Sequence, residues 1–458
     1  GVMMRCEEVK RGLATALLGL VMLGASARPA AAALDAERFT IGGEIRERYE
    51  FRNDADFNRN VRDALSFVGS RIRLHFGYAV TPDIALFLQI QDSRLFGSET
   101  STVSNEKNLD LHQGHLTVKN LFDVLTLTLG RQELVFGDQR LVGNLGWTNV
   151  GRSFDGLRLT YVFVPVRVDL WAAIPKQYGA NVGADPAFSP SNRESQQFYG
   201  LYGAIMVDSL VIEPYVLYLL DTGDATELDS LGALVSPITA PAARGQERAT
   251  LGLRLHGKAA GESIDYTVEG AYQTGRMDAR GATPQSDIAA YAVAVKAGYT
   301  APVAVKPRIG VEYDLASGDE NSADGRFTTF ENLFPTNHMH YGYMDYVGWR
   351  NMQAVRLSLG MKPTATSGVS LDYHRFWLAE TADHWYAASG RIFRATPAGN
   401  AERELGGEIN LVAYFMIKEK LRLETGYGHF FPGDYVKASF PAAADGSDFL
   451  YVQLGAGF

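Results

Sequence analysis

The sequence predicts an all-β chain that closes into one transmembrane antiparallel β-barrel of about eighteen strands. Three observations predict it. Apolar and polar residues alternate with period two through nearly the whole chain after Phe39, the mark of strands with two unlike faces. Short links alternate with long polar ones, as in a barrel with tight turns at one rim and loops at the other. The chain ends on Asp448 to Phe458, "DFLYVQLGAGF", which places Leu450, Val452, Leu454, Ala456 and Phe458 on one face. In lipid every backbone donor and acceptor must be paired, so a spanning sheet has to close on itself, apolar outside and wet inside.

The first 33 residues read separately from the rest, as a secretory signal peptide. Arg5, Lys10 and Arg11 precede the apolar run Leu13 to Leu23, and the small residues Ala30 to Ala33 follow. The run is too short to span a bilayer, and cleavage is expected near Ala33 and Leu34. Residues 34–458 are then the barrel. The single cysteine, Cys6, falls in the leader, so neither a disulfide framework nor a cysteine metal site is available. With a formal charge of -9, nucleic acid is excluded as a partner.

The strands follow in order. Phe39, Ile41 and Ile45 alternate with Thr40, Glu44 and Arg46, and Arg48 with Glu50 continues the charged face. Ile72, Leu74 and Phe76 alternate with Arg71, Arg73 and His75, and after Thr81-Pro82-Asp83 come Ile84, Leu86, Leu88 and Ile90. Further apolar faces begin at Leu116, Leu125, Leu157, Val166, Leu201, Ile212, Leu251, Ile264, Tyr291, Ile309, Val355, Val369, Leu405, Leu421 and Leu450. Tight links such as Val164-Pro165 and Asp208-Ser209 alternate with long ones, among them Phe136 to Ser153, Gly318 to Arg350 and Glu380 to Arg403. Tyr49, Tyr78, Tyr161, Tyr299 and Tyr427, at strand ends, would form interfacial girdles.

The faces opposite the apolar ones would line the lumen, and they carry charge of both signs. Arg46, Arg48, Arg71 and Arg73 fall on adjacent strands, and Arg158, Arg356 and Arg422 stand elsewhere on the inner register. Guanidinium forks bind carboxylates bidentately, so the first four would form a ladder for an anionic solute. The alternative is that they pair with Glu44, Glu50 and other acids and stiffen the wall.

Two stretches exceed generic barrel grammar. One runs from Gly130-Arg131-Gln132-Glu133-Leu134 through Gly137-Asp138-Gln139-Arg140-Leu141 and Trp147-Thr148-Asn149 to Gly151-Arg152-Ser153-Phe154-Asp155-Gly156. The other holds Ser317-Gly318-Asp319, Phe330-Glu331-Asn332-Leu333-Phe334-Pro335 and Tyr341-Gly342-Tyr343-Met344-Asp345. Together with strands over nearly the whole chain, they resemble the alginate export family of outer-membrane porins. The resemblance implies an eighteen-stranded monomer with an arginine-rich constriction, partly capped by loops, through which a polyuronate passes. It makes Arg131 and Arg152 the constriction candidates, with Asp155 orienting a guanidinium. Strict alternation from Leu125, Leu127 and Leu129 would instead point Arg131 at lipid, unless a bulge at Gly130 or a position at the rim resolves it.

Other signals in the sequence are weaker. Asp319, Glu320 and Asp324 gather oxygen ligands suited to calcium, but the complete twelve-residue calcium-loop pattern is absent, so a solvated loop without a cofactor is expected. His112 and His115, three apart at a strand start, are expected on opposite faces. Ser370, Asp372 and His374 share one face at a spacing too wide for a nucleophile relay, so a hydrolase is not expected. The expectation is an outer-membrane channel passing an acidic saccharide or other anionic or polar solute by passive diffusion. A general or small-carboxylate porin is the alternative, and a structural envelope protein is a further one. The expected partners are the bilayer, the barrel-assembly machinery through the Phe458 strand, and a periplasmic secretion partner.

Overall fold

A computed structural model describes residues 36–58, 60, 63–98, 108–177, 195–221, 245–278, 285–440 and 445–458. The expected leader and its cleavage site lie outside the described residues. The chain divides into Gly1–Phe39, where the described residues form a 3-10 turn at Ala36–Arg38, and Thr40–Phe458, the barrel unit.

Eighteen strands close the barrel. In chain order they are β1 (Phe39–Asn53), β2 (Leu65–Ala79), β3 (Ile84–Leu95), β4 (Leu109–Leu121), β5 (Leu125–Gln132), β6 (Phe154–Phe163), β7 (Val166–Gln177), β8 (Ser195–Val207) and β9 (Leu210–Asp221). They continue as β10 (Gln246–Ala259), β11 (Ile264–Met277), β12 (Ser286–Thr300), β13 (Arg308–Ala316), β15 (Met352–Thr364), β16 (Ser367–Trp377), β19 (Glu404–Lys418), β20 (Leu421–Pro432) and β21 (Ser447–Gly457). Among the described residues, three short strands lie within connections: β14 (Arg326–Phe327), β17 (Trp385–Tyr386) and β18 (Ile392–Arg394). Each barrel strand pairs antiparallel with the next, and β1 pairs with β21 from Glu44↔Gly457 to Asn53↔Asp448. That last ladder leaves no free edge, as a sheet in lipid requires.

The final strand behaves as its pattern dictates. Val452, Leu454 and Phe458 are exposed on the outer face, whereas Phe449 and Tyr451 are buried inside. Short connections, such as 80–83, 164–165 and 260–263, alternate with longer ones, such as 133–153, 317–351 and 378–403. The two rims are therefore unlike: one bears turns, the other loops.

Among the register shifts of the described strands, those next to Leu405 and His112 change the face of a side chain from the one expected. Between β16 and β19, Trp377 pairs with Glu404 and Phe376 with Gly406, so Leu405 is the extra residue and turns inward at 0% exposure, not outward as expected. Between β3 and β4, Gln89 pairs with Gln113 but Ile90 with Leu111. His112 is thus the added residue, and both it and His115 face inward, contrary to the expected opposite faces. The two remain apart in function: His112 Nε2 lies 2.8 Å from Glu133, and His115 stacks on Phe87 at 5.1 Å.

The interior is not simply a wet charged route. Connections 133–153, 317–351 and 378–403 fold inward and build a core inside the barrel. Leu134, Phe136, Leu141, Phe330, Trp349, Leu378 and Trp385 from these segments pack with the inner-face residues Phe154, Trp171, Phe198, Leu217 and Leu219. The run Tyr215-Val216-Leu217-Tyr218-Leu219 is apolar on both faces because one meets the exterior and the other meets the loops. Loops 133–153 and 317–351 are knitted by backbone bonds: Gly143 N to Phe334 O (2.8 Å), Phe334 N to Leu141 O (2.9 Å) and Thr336 N to Gln139 O (2.8 Å).

Candidate conduction pathway

The four arginines expected on β1 and β2 come together in a row, the ladder. Arg46, Arg48, Arg71 and Arg73 are buried side by side on the inner face because period two puts every second residue of both strands there. Three of them reach acids: Arg48 Nε donates to Glu50 (2.7 Å), Arg71 Nη2 lies 2.8 Å from Glu44, and Arg73 stands 3.7 Å from Glu44 and 3.6 Å from Glu133. Most of the remaining donors reach neutral backbone. Arg46 donates to Gly146 O (2.9 Å) and Thr148 O (2.8 Å), Arg48 to Trp147 O (2.7 Å), and Arg71 to Gly146 O (3.0 Å) and Thr148 O (3.1 Å). Arg73 donates to Val150 O (3.2 Å) and Gln91 (2.6 Å). The segment lies close against them: Gly151 adopts φ +79, and a Cβ there would stand 2.7 Å from Arg73 Nη2, so only glycine fits. Arg48 also lies 3.9 Å over the Trp147 ring.

The same loop is fastened lower in the lumen by two side chains. Arg140, 2% exposed, forms ion pairs with Glu312 and, at 3.0 Å, Asp314 on β13, and donates to Tyr341 Oη (2.6 Å). Burial opposes its charge, but Asp314, Tyr341 and Glu312 more than offset this and hold the guanidinium above its ordinary value. Asp138 at the loop tip meets Arg254 of β10 and Lys296 of β12, while His340 Nε2 donates to its carbonyl (2.8 Å). Burial works against the Asp138 charge, yet Lys296 and Arg254 outweigh it and keep the carboxyl well below the usual range. Because this pKa is depressed by folding, the latch contributes fully above the unfolded value of about 3.9 and is lost only as pH falls through the folded one. Channel current should therefore show no latch-dependent step between about pH 5 and pH 8, and an Asp138-dependent rise only in strong acid, read from conductance against pH.

The other expected pathway residues divide sharply. Arg158 donates to Asp169 (2.8 Å), Arg356 to Asp372 (2.9 Å), and Arg422 pairs with Glu424, all on the inner face. Arg152 is inside too, but on the loop, donating to Gly143 O (3.1 Å) and Pro335 O (2.9 Å), and burial lowers its guanidinium to about 10. Arg131 and Asp155 are not in the lumen. They pair with each other across β5 and β6 on the outer face near the loop rim, with Nε to Oδ1 at 2.8 Å and Nη2 to Oδ2 at 2.7 Å. Their strand neighbours Gln132 and Phe154 point inward, and Gly130, although at φ +126, leaves the register unbroken. The rim position, not a bulge, accommodates the charge, so neither residue forms the constriction.

Asp138 and Arg140 were not among the candidates although both stand in the quoted motif, because only the loop's inward course gives them partners. Asp319 and Asp324 accept backbone N–H groups of Asn321 (3.2 Å) and Arg326 (2.8 Å), and among the described residues no group of three or more His, Asp or Glu side chains is disposed to hold a metal ion. Asp372 accepts from Arg356, not from His374.

Below the loop tip the lumen opens into two adjoining cavities, of about 350 and about 720 Å³, that share Asp138, Asp265 and Lys296. Arg308 and Asp265, each more than a third exposed, face this space and bond through both oxygens (3.0 and 2.6 Å).

Comparison with known proteins agrees with this architecture. The fold is similar to Pseudomonas aeruginosa OccK11 (OpdR), 12% identical with a TM-score of 0.56 over 92% of this chain and 96% of that one. It is similar to Acinetobacter baumannii OccAB2, 10% identical with a TM-score of 0.58 over 93% and 99%. Pseudomonas aeruginosa OpdK, solved with vanillate, is 7% identical with a TM-score of 0.55 over 92% and 99%. No curated protein sequence matches at a significant level. The family model described as alginate export matches residues 37–448. The chain belongs to the alginate export family, and its barrel is of the kind that forms outer-membrane channels.

Proposed function

We propose that the protein sits in the outer membrane and passes anionic or polar solutes by passive diffusion, with an acidic saccharide of the alginate class as the leading substrate. The observation that carries this is the arginine ladder on β1 and β2, most of whose remaining donors end on uncharged carbonyls of 146–150. A carboxylate meets a guanidinium with a full opposite charge and two parallel bonds, which a single uncharged carbonyl does not supply, so an incoming uronate competes with that segment. Several moderate sites in a row let the solute leave as well as enter. Flow follows the gradient. Insertion would depend on the barrel-assembly machinery reading the Phe458 strand, and a periplasmic partner would feed the turn rim. No catalytic step is assigned.

A small-carboxylate porin is the second reading, favoured by the modest size of the cavities and by a similar barrel having been solved with vanillate. Block of single-channel current by short oligouronates separates the two. On the leading reading, oligouronate blocks and Arg46→Ala or Arg71→Ala weakens the block about tenfold, the loss of one charge-assisted bidentate contact. Block by monocarboxylates alone supports the second reading, and block unaffected by either substitution removes the ladder from the pathway.

A further inference from the structure

The open space beneath the loop tip differs in charge from the ladder. The smaller cavity sets Asp138, Asp265 and Glu312 against Lys296, Arg308 and Arg356. The larger sets Asp138, Asp265 and Glu262 against Arg254, Lys258 and Lys296. Each is thus lined by three acids, three lysines or arginines and one histidine among the described residues, His256 in the larger and His340 in the smaller, where burial, then Arg140, pushes the His340 imidazole down to about 3 and removes its charge. An anion entering here gains Arg308 or Lys296 only by sitting beside Asp265 and Asp138, and a cation meets the mirror-image difficulty. A molecule carrying both charges can exchange partners with an existing pair, ammonium to Asp265 and carboxylate to Arg308, leaving no charge uncompensated.

We propose that this chamber is a binding site for small zwitterionic solutes, amino-carboxylates whose two charges are separated by a short aliphatic spacer. The Arg308–Asp265 pair is its centre because both groups are accessible and already arranged in fork geometry. A cavity of this volume holds one such molecule with room for water. The site goes beyond the ladder's anion chemistry and lies on the wall formed by β10 to β15. It relies on the channel reading only for how the solute reaches it.

The test uses the full-length protein in detergent micelles, equilibrium dialysis with labelled 5-aminopentanoate, and pentanoate and pentylamine as size-matched competitors at low salt. Wild type should bind 5-aminopentanoate and be displaced by neither competitor at equal concentration. Asp265→Asn should weaken that binding about tenfold and make pentanoate the better ligand, since Arg308 is then freed. Arg308→Gln should shift preference toward pentylamine, and heat-shifted gel mobility confirms that each variant is folded. Pentanoate binding to wild type as tightly as the zwitterion, or an unchanged preference in folded Asp265→Asn, overturns the proposal. Parallel bilayer recordings separate the two readings: currents without zwitterion binding overturn the site and leave the channel, whereas binding without currents overturns the channel and keeps the site.

Discussion

Replacing residues 138–150 with a short Gly-Ser linker is expected to raise single-channel conductance several-fold and strengthen anion preference. The segment does three things at once. It covers the ladder with the carbonyls of Gly146, Trp147, Thr148 and Val150. It carries the Val142 bridge to Phe334 that holds loop 317–351 against it. It also brings Asp138 and Arg140 to the far wall. Without it the four guanidiniums keep Glu44, Glu50 and Glu133 but lose the carbonyls of 146–150, so the wall exposes their positive charge to the lumen and focuses anions. The strands need none of these contacts for their own ladders, and the variant should still insert. Unchanged conductance in planar bilayers would mean that the segment does not limit flow.

Arg140→Ala should cost about 3–5 kcal/mol in the stability of the inward loops, the usual penalty for removing one partner of a buried ion pair. Glu312 and Asp314 would be left buried beside each other with their shared cation gone. The effect falls on the loops, because both acids sit on a strand whose backbone remains paired. Hydrogen exchange reads it: protection should collapse at the amides of Phe334 and Thr336, which donate to Leu141 and Gln139. Combining Arg140→Ala with Glu312→Gln and Asp314→Asn should restore much of that protection, since no uncompensated charge then remains. Equal exchange in the single and triple variants would contradict this account of the cluster.

The barrel was legible because its signal is local. Period two sorts side chains onto two faces without reference to any other strand, and the alternation of short and long links follows from the same count. Arg131 shows how strong that signal is: alternation from Leu129 pointed it outward and the motif pointed it inward, and alternation prevailed. Leu405 and His112 were misplaced because a bulge adds one residue without altering composition. The ladder's position was legible, but its partners were not. Gly146 lies a hundred residues from Arg46 in sequence, and only the loop's inward course brings them together. For the same reason Asp138 and Arg140 carried no mark of their importance, although the doubly apolar run from Tyr215 to Leu219 already required something to pack inside the wall.

The central claim is that this barrel conducts, and that its ladder sets the sign of what it prefers. The reversal potential of purified protein in a planar bilayer under a potassium chloride gradient tests it most directly. Discrete current steps with a reversal potential displaced toward the chloride equilibrium, and moved back toward zero by Arg46→Ala with Arg71→Ala, are the predicted result. An absence of steps, or a displacement toward the potassium equilibrium, would contradict it.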